Sequence, residues 1–210
     1  MPVADIRRSY DWSALHEDTM ADSPLAQTGV WINDAITSGA IDPTAMTLAT
    51  VDPNGRPSAR IVLMKGYDEN GLVFFTNYTS RKGLELATNP HASLLFYWPG
   101  LERQIRVEGT ITKVSEAESD SYYDSRPLAS RISAWASPQS KPISRDDLDA
   151  SMARYSETLG EQPQRPSFWG GYRLTPDYFE FWQGRASRLH DRLTYNLDSQ
   201  EQWVRNRIAP

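Results

Sequence analysis

Two turn signals, Asp52-Pro53-Asn54-Gly55 and Asp68-Glu69-Asn70-Gly71, cut the apolar stretch between Thr44 and Thr76 into three short runs. Proline pre-sets one turn dihedral and glycine supplies positive φ, so each tetrapeptide reverses the chain within a few residues. The runs Thr44–Val51, Ser58–Lys65 and Leu72–Thr76 are therefore predicted to be strands of an antiparallel meander. His91–Trp98 and Glu102–Val114 read as a further pair around Pro99-Gly100. In the second, Ile105, Val107 and Ile111 alternate with Gln104, Arg106, Glu108 and Thr110, the pattern of a strand with one buried face. Strands are predicted again at Gly170–Leu174, Tyr178–Trp182, Ser187–Tyr195 and Gln202–Ile208. So many short strands separated by turns predict a mainly β fold, a β-barrel with peripheral helices.

The helices announce themselves by their caps. Ser23-Pro24 is an N-cap followed by a first-turn proline, and Leu25, Thr28, Ile32, Ala35 and Ile36 keep helical spacing up to Gly39. Ser80 caps a short helix ending near Asn89-Pro90, and helices are predicted to begin after Ser115 and Ser144, where capping-box patterns stand. Residues 1–22 are polar and weakly patterned and read as a loose arm; residues 23–210 read as one domain. The Pro-rich patch Gly160–Ser167 is the best internal break, but too few strands follow it to make a second domain.

Composition narrows the function. The net charge of −5 disfavours nucleic acid and anionic membranes as partners. With no cysteine, disulfides, thiolate metal sites and cysteine nucleophiles are excluded, and three widely separated histidines do not make a metal site. No stretch approaches the ~18 apolar residues of a membrane span, and the N-terminus lacks a secretory pattern, so a soluble cytoplasmic protein is the expectation. The dinucleotide, phosphate-loop and zinc-helix motifs are absent.

Against this acidic background three basic clusters stand out. Arg188, His190 and Arg192 occupy alternate positions and in an extended strand share one face, with Leu189, Asp191 and Leu193 on the other. Such a face suits a polyanionic ligand, and His190 is able to exchange a proton near neutrality; the other reading is an exposed basic face with ordinary surface pairs. Lys65 ends an apolar run that reads as a buried strand, as a cation at a cleft mouth or with its stem packed and its ammonium in water. Arg81 and Lys82 stand in the first turn of the Ser80-capped helix, where cations oppose the helix dipole but help to hold a phosphate.

Read in order, the segments RIVLMK (Arg60–Lys65), FFTNYTSRK (Phe74–Lys82), LERQIRVEG (Leu101–Gly109), SRPLAS (Ser125–Ser130), SPQS (Ser137–Ser140), PSFWGGYR (Pro166–Arg173), EFWQG (Glu180–Gly184), RLHDR (Arg188–Arg192) and RIAP (Arg207–Pro210) resemble the pyridoxine/pyridoxamine 5′-phosphate oxidase family. The resemblance runs from about Asp42 to the end of the chain. It implies an FMN-binding split barrel of antiparallel strands, a homodimer with FMN held between subunits. It also implies oxidation of pyridoxine 5′-phosphate and pyridoxamine 5′-phosphate to pyridoxal 5′-phosphate, with dioxygen as acceptor and hydrogen peroxide as by-product.

Carried over by position, the FMN contacts implied are Arg60, Ile61, Val62, Leu63, Met64, Lys65, Phe75, Thr76, Arg81, Lys82, Gln104, Gln139, Ser140, Trp182 and Arg192. Lys65, Tyr122, Arg126 and Ser130 are implied to grip the substrate phosphate, while Arg188 and His190 lie over the pyridine ring as the catalytic pair. Arg7 and Tyr10, in the segment RRSY, resemble a family segment that folds over bound substrate. Met64 stands where leucine is usual, a nearly volume-conserving change. Two other functions compete: a split-barrel carrier or sensor that binds FMN or pyridoxal phosphate without turnover, and a flavin oxidase of another metabolite, as in phenazine-pathway relatives. Intact Tyr122, Arg126, Ser130, Arg188 and His190 favour the vitamin B6 oxidase over both.

Overall fold

The computed structural model describes residues 2–5, 9–10 and 13–210. Nine antiparallel strands form one sheet: β1 (Ala45–Val51), β2 (Pro57–Leu63), β3 (Gly66–Asp68), β4 (Gly71–Asn77), β5 (His91–Trp98), β6 (Arg103–Lys113), β7 (Trp169–Gln183), β8 (Asp191–Leu197) and β9 (Trp203–Arg207). Their order is β2-β1-β5-β6-β7-β4-β3, with β8 pairing β7 and β9 pairing β8. β2 and β3 lie at opposite ends of this path, yet only Met64 and Lys65 separate them in sequence. The sheet must therefore curl until its two ends meet. The N–H of Met64 donates to Thr44 O at 2.9 Å and the N–H of Lys65 to Val73 O at 2.8 Å, stitching the closure on both sides. This is a curled barrel with peripheral helices, as the turn spacing predicts.

The first three predicted runs do not form a meander. β1–β2 and β3–β4 are hairpins at opposite ends of the path because β5, β6 and β7 insert between β1 and β4. The two strands predicted across 170–182 are one strand, β7, which runs through Pro176. The register between β6 and β7 shifts between Glu108 and Gly109, beside Pro176, and such an irregularity accommodates a residue with no N–H to pair. β2, read as buried, is an outer strand with alternate residues facing solvent, and Ile61 is 64% exposed.

Inside the barrel, Leu48, Phe74, Phe96, Ile105, Val107, Leu174, Phe179 and Phe181 are fully buried. The helices are α1 (Pro24–Thr37), α2 (Arg81–Thr88), α3 (Glu116–Ser125), α4 (Leu128–Ala136) and α5 (Arg145–Leu159). Ser23, Ser80, Ser115 and Ser144 each accept an N–H of the first turn of their helix, as predicted. α4 was not legible in advance because it follows Pro127 with no side-chain cap.

Two further departures bear on function. Ser187–Tyr195 is not one strand: Ala186–Arg188 is a single 3-10 turn, Ser187 and Arg188 take φ of 57° and 62°, and β8 begins only at Asp191. Arg188, His190 and Arg192 therefore do not share one strand face. The arm read as loose is anchored from Leu15 onward. Leu15 and Met20 are buried, Tyr195 donates its hydroxyl to Ala21 O at 2.5 Å, and Arg205 donates to Met20 O at 3.1 Å. Among the described residues no helix is long and apolar enough to cross a membrane.

Candidate functional site

The predicted site residues fall into three groups. The first joins β2, the end of β4 and the start of α2. Lys82 is only 9% exposed, and its Nζ donates to Gln139 Oε1 at 2.8 Å, Thr76 Oγ1 at 3.1 Å and Ser80 Oγ at 3.4 Å. All three acceptors are neutral. Burial first, and then the charge of Arg60, push the Lys82 amine down to about 8 against the opposing pull of Glu85. Arg60 and Arg81 converge on Glu85: Arg81 Nε donates to Oε1 at 2.8 Å and Arg60 Nη2 to Oε2 at 3.3 Å. Thr50 and Ser58 hydroxyls donate to the same Oε2 at 2.5 and 2.7 Å. Burial would raise this carboxyl, but those hydrogen bonds outweigh it and hold Glu85 at about 2. Gln139 and Ser140 line a neighbouring cleft of about 720 Å³ together with Arg56 and Arg81.

Sequence reasoning overlooked Glu85 and its hydroxyl partners. The available signal was the i,i+4 spacing of Arg81 and Glu85 on α2.

The second group lies beside the first along β4. Phe75 stacks on Tyr122 from α3, with centroids 3.9 Å apart, and both lie nearly parallel to Trp169 at 5.8 and 6.2 Å. Lys65, Phe75 and Tyr122 line one cleft of about 410 Å³ with Ser125, Asp68 and Arg173. Arg173 is held there by Asp68 and Glu118, whereas Lys65 has no ion pair among the described residues. Arg126 follows α3, and its guanidinium carbon sits 4.6 Å from the Trp169 ring centroid. Its Nη1 is buried without a hydrogen-bond partner, and burial lowers its pKa. Ser130 stands in the first turn of α4, where free helix amides favour an anion.

The third group is built on the far end of β7, the following loop and the arm. Trp182, His190 and Tyr10 pack as a ring cluster, with centroids 4.7 Å between Trp182 and His190 and 5.4 Å between Tyr10 and His190. A Cβ on Gly184 would lie 2.8 Å from the Tyr10 ring, so the glycine admits this contact. Gln104 is the β6 partner of Trp182. Arg188 is exposed in its left-handed turn, a backbone conformation that costs roughly 1–3 kcal/mol per non-glycine residue and clusters at functional sites. Arg192 is anchored within the chain by three of its five N–H donors: it makes a bidentate pair with buried Glu180, at 3.0 and 2.8 Å, and donates to Ala209 O.

Val62 packs against the core and Met64 is buried, while Ile61 and Leu63 face outward from the barrel. Arg7 lies outside the described residues. No group of His, Asp and Glu capable of holding a metal ion occurs among the described residues.

Known proteins share this arrangement of sequence and fold. The family profile described as "Pyridoxamine 5'-phosphate oxidase" matches residues 32–183. The profile described as "Pyridoxine 5'-phosphate oxidase C-terminal dimerisation region" matches residues 169–210. The pyridoxine/pyridoxamine 5'-phosphate oxidase of Bordetella pertussis is 57% identical over 210 residues, covering 100% of both chains. Among solved structures, PhzG from Burkholderia lata 383, in complex with tetrahydrophenazine-1-carboxylic acid, is similar with a TM-score of 0.88 at 32% identity, covering 97% of this chain and 100% of that one. An FMN binding protein from Nostoc punctiforme, related to pyridoxamine 5'-phosphate oxidase, shares the fold with a TM-score of 0.74 at 23% identity, over 91% of this chain and 100% of its own.

Proposed function

This chain belongs to the pyridoxine/pyridoxamine 5'-phosphate oxidase family, and from that premise we propose that it oxidises pyridoxine 5'-phosphate and pyridoxamine 5'-phosphate to pyridoxal 5'-phosphate with FMN as cofactor. The observation that carries the reading is a pair of cations, Lys82 and Arg126, each desolvated and each without a carboxylate at ion-pair distance among the described residues. An unneutralised buried charge is costly, and a phosphate dianion offsets that cost with charge and acceptor oxygens. Two such sites suit two phosphate groups, one on the cofactor and one on the substrate.

The residues fit FMN on the same ground. Lys82, Thr76, Gln139, Ser140, Arg60 and Arg81 would hold its phosphate end, and Arg60 through Lys65, Phe75, Gln104, Trp182 and Arg192 the remainder. When bound, FMN would supply the redox chemistry, as acceptor of the hydride from C4′ with dioxygen as the final oxidant and hydrogen peroxide as the by-product. Everything else falls to the side chains. Lys65, Tyr122, Arg126 and Ser130 bind the substrate phosphate. Arg188 and His190 cover the pyridine ring and fix C4′ for transfer, so their contribution is chiefly positional. The amine substrate then loses ammonia by hydrolysis of the imine.

A second copy of the chain completes this site. Phe75 pairs with Gly171 near the start of β7, while Gln104 and Arg192 pair with Trp182 near its end. Eleven residues of strand separate those positions, about 36 Å of contour at ~3.3 Å per residue. One phosphorylated ring does not reach both from a single chain. A homodimer that sets the Trp182–His190 end of one subunit against the Tyr122–Arg126 end of its partner does, and the exposed Ile61 and Leu63 supply apolar surface to bury.

The test is direct. FMN-loaded protein incubated with pyridoxine 5'-phosphate in air should yield pyridoxal 5'-phosphate and hydrogen peroxide in equal amounts. Loaded, dimeric protein that yields neither would overturn the proposal.

A further inference from the structure

Trp169 is absent from the set of site residues carried over above, yet it touches two members of the phosphate grip. Its ring lies 4.6 Å under the guanidinium of Arg126 and runs parallel, within 7°, to the ring of Tyr122. Trp169 itself is fixed. It is 7% exposed, its N–H donates to Pro166 O at 3.0 Å, its carbonyl accepts from Arg165 Nη1 at 2.6 Å, and it pairs with Asn77 of β4.

Arg126 has no comparable support of its own. It lies outside regular helix, between the end of α3 and Pro127, and no carboxylate holds its guanidinium among the described residues. A long flexible side chain in such a link samples many rotamers, and each must be given up when an anion binds. A planar guanidinium stacked on an indole face has given up most of them already. Lysine, a point charge without a plane, gains much less from that surface.

Resting on the function proposed above, we infer that Trp169 is a positioning residue for substrate: it pre-orders Arg126, and with Phe75 keeps Tyr122 beside it, so that the enzyme selects phosphorylated over unphosphorylated vitamers. The role is specific to the phosphate end. Among the described residues no side-chain hydrogen bond or ring contact joins Trp169 to Lys82, Thr76 or Gln139, whose bonds run among themselves and Ser80.

The experiment measures kcat/KM for pyridoxine 5'-phosphate and for pyridoxine on the FMN-loaded enzyme and takes their ratio as the phosphate selectivity. Trp169→Leu and Arg126→Lys should each lower the ratio about tenfold, mainly through KM of the phosphorylated substrate, and the double variant should lower it little further. Trp169→Phe, which keeps an aromatic face, should recover part of the loss. Arg126→Lys and Trp169→Phe keep the test open if Trp169→Leu does not fold. If Arg126→Ala abolishes selectivity while the folded, loaded Trp169 variants keep it, the inference falls and the proposed function stands. Should Arg126→Ala itself keep full selectivity, Arg126 does not grip the phosphate and the inference falls, while the oxidation measured in the same assay leaves the proposed function standing; only loaded, unaltered enzyme that oxidises neither substrate would overturn that function.

Discussion

The main-chain N–H of Arg185 donates to Nδ1 of His190 across 3.1 Å. That bond uses the Nδ1 lone pair, so the neutral ring carries its proton on Nε2. Burial first, and then the charge of Arg188, lower the pKa of His190 from 6.5. A proton on Nδ1 would break the bond to the loop, so neutral His190 and an ordered 184–190 loop go together.

Arg188→Gln removes the second of those two causes. The His190 titration midpoint, followed by the ring proton resonances of loaded enzyme, should rise, while burial keeps it below the free value. Turnover of pyridoxine 5'-phosphate should fall about a hundredfold through lost positioning, with FMN still bound. An unmoved midpoint would remove the electrostatic link between the two residues, and loss of flavin would show that Arg188 serves the cofactor instead.

How far the sequence reaches is clear from this same loop. Alternation at Arg188, His190 and Arg192 suggested a strand, but Ser187 and Arg188 adopt positive φ, which no local pattern of non-glycine residues announces. Glu180, the carboxylate that pairs with Arg192, sits twelve positions earlier and reaches it through β7–β8 register. By contrast, serine caps, the two turn signals and the alternation in β6 are local causes; the capped helices and both turns form where expected, although the second turn joins β4 to the short β3 and not to β2. Strand order is set by long-range pairing, so the insertion of β5, β6 and β7 between the first two hairpins was not legible. Site residues were named by resemblance; the support of Arg81 by Glu85 had a local signal in their i,i+4 spacing, whereas support by Trp169 and Asp191 is visible only in three dimensions.

If Lys82 holds the cofactor phosphate as proposed, FMN binding has a pH dependence of predictable sign. Its amine titrates at about 8 in the absence of an anion, and a bound phosphate stabilises the protonated form. FMN affinity should therefore be constant below that pH and weaken above it by up to about tenfold per unit. Fluorescence titration of the cofactor-free protein between neutral and alkaline pH measures this directly. Lys82→Met should bind more weakly and lose the alkaline dependence; an unchanged alkaline slope would place the titrating group elsewhere.

Glu85 links stability to acid. Its folded-state value of about 2 lies below 4.5, so the carboxylate stabilises the native chain above that value. The contribution disappears as pH falls from 4.5 towards 2. Glu85→Gln leaves Arg60 and Arg81 without their shared anion and should cost roughly 2–4 kcal/mol at neutral pH. Thermal melts of the two proteins should converge as the buffer is taken to about pH 3. A deficit that persists undiminished in acid would mean that shape rather than charge matters at this position.

Asp191 ties the arm to the loop that carries His190. Its Oδ2 accepts the Leu15 N–H at 2.9 Å and Arg185 Nη1 at 3.1 Å, while Oδ1 accepts Arg207 Nη1 at 2.6 Å. Arg207 in turn grips Glu17 at 2.6 and 3.0 Å and the carbonyl of Leu15 at 2.8 Å. Burial would raise the Asp191 carboxyl, but the Leu15 amide and Arg207 hold it below its usual 3.8. The clasp is accordingly complete above that value and loosens as pH drops below it. Arg207→Ala removes the hub on the arm side while leaving Arg185 in place. Hydrogen exchange at Leu15 should accelerate about tenfold or more, the loss of charged hydrogen bonds being worth ~1.5–3 kcal/mol each, with β5 and β6 amides unaffected. Asp191→Asn should accelerate Leu15 and also free the 184–190 loop, raising KM for pyridoxine 5'-phosphate as Tyr10 and His190 lose their fixed packing. Leu15 protection that survives both substitutions would show that Leu15 and Met20 hold the arm by apolar burial alone.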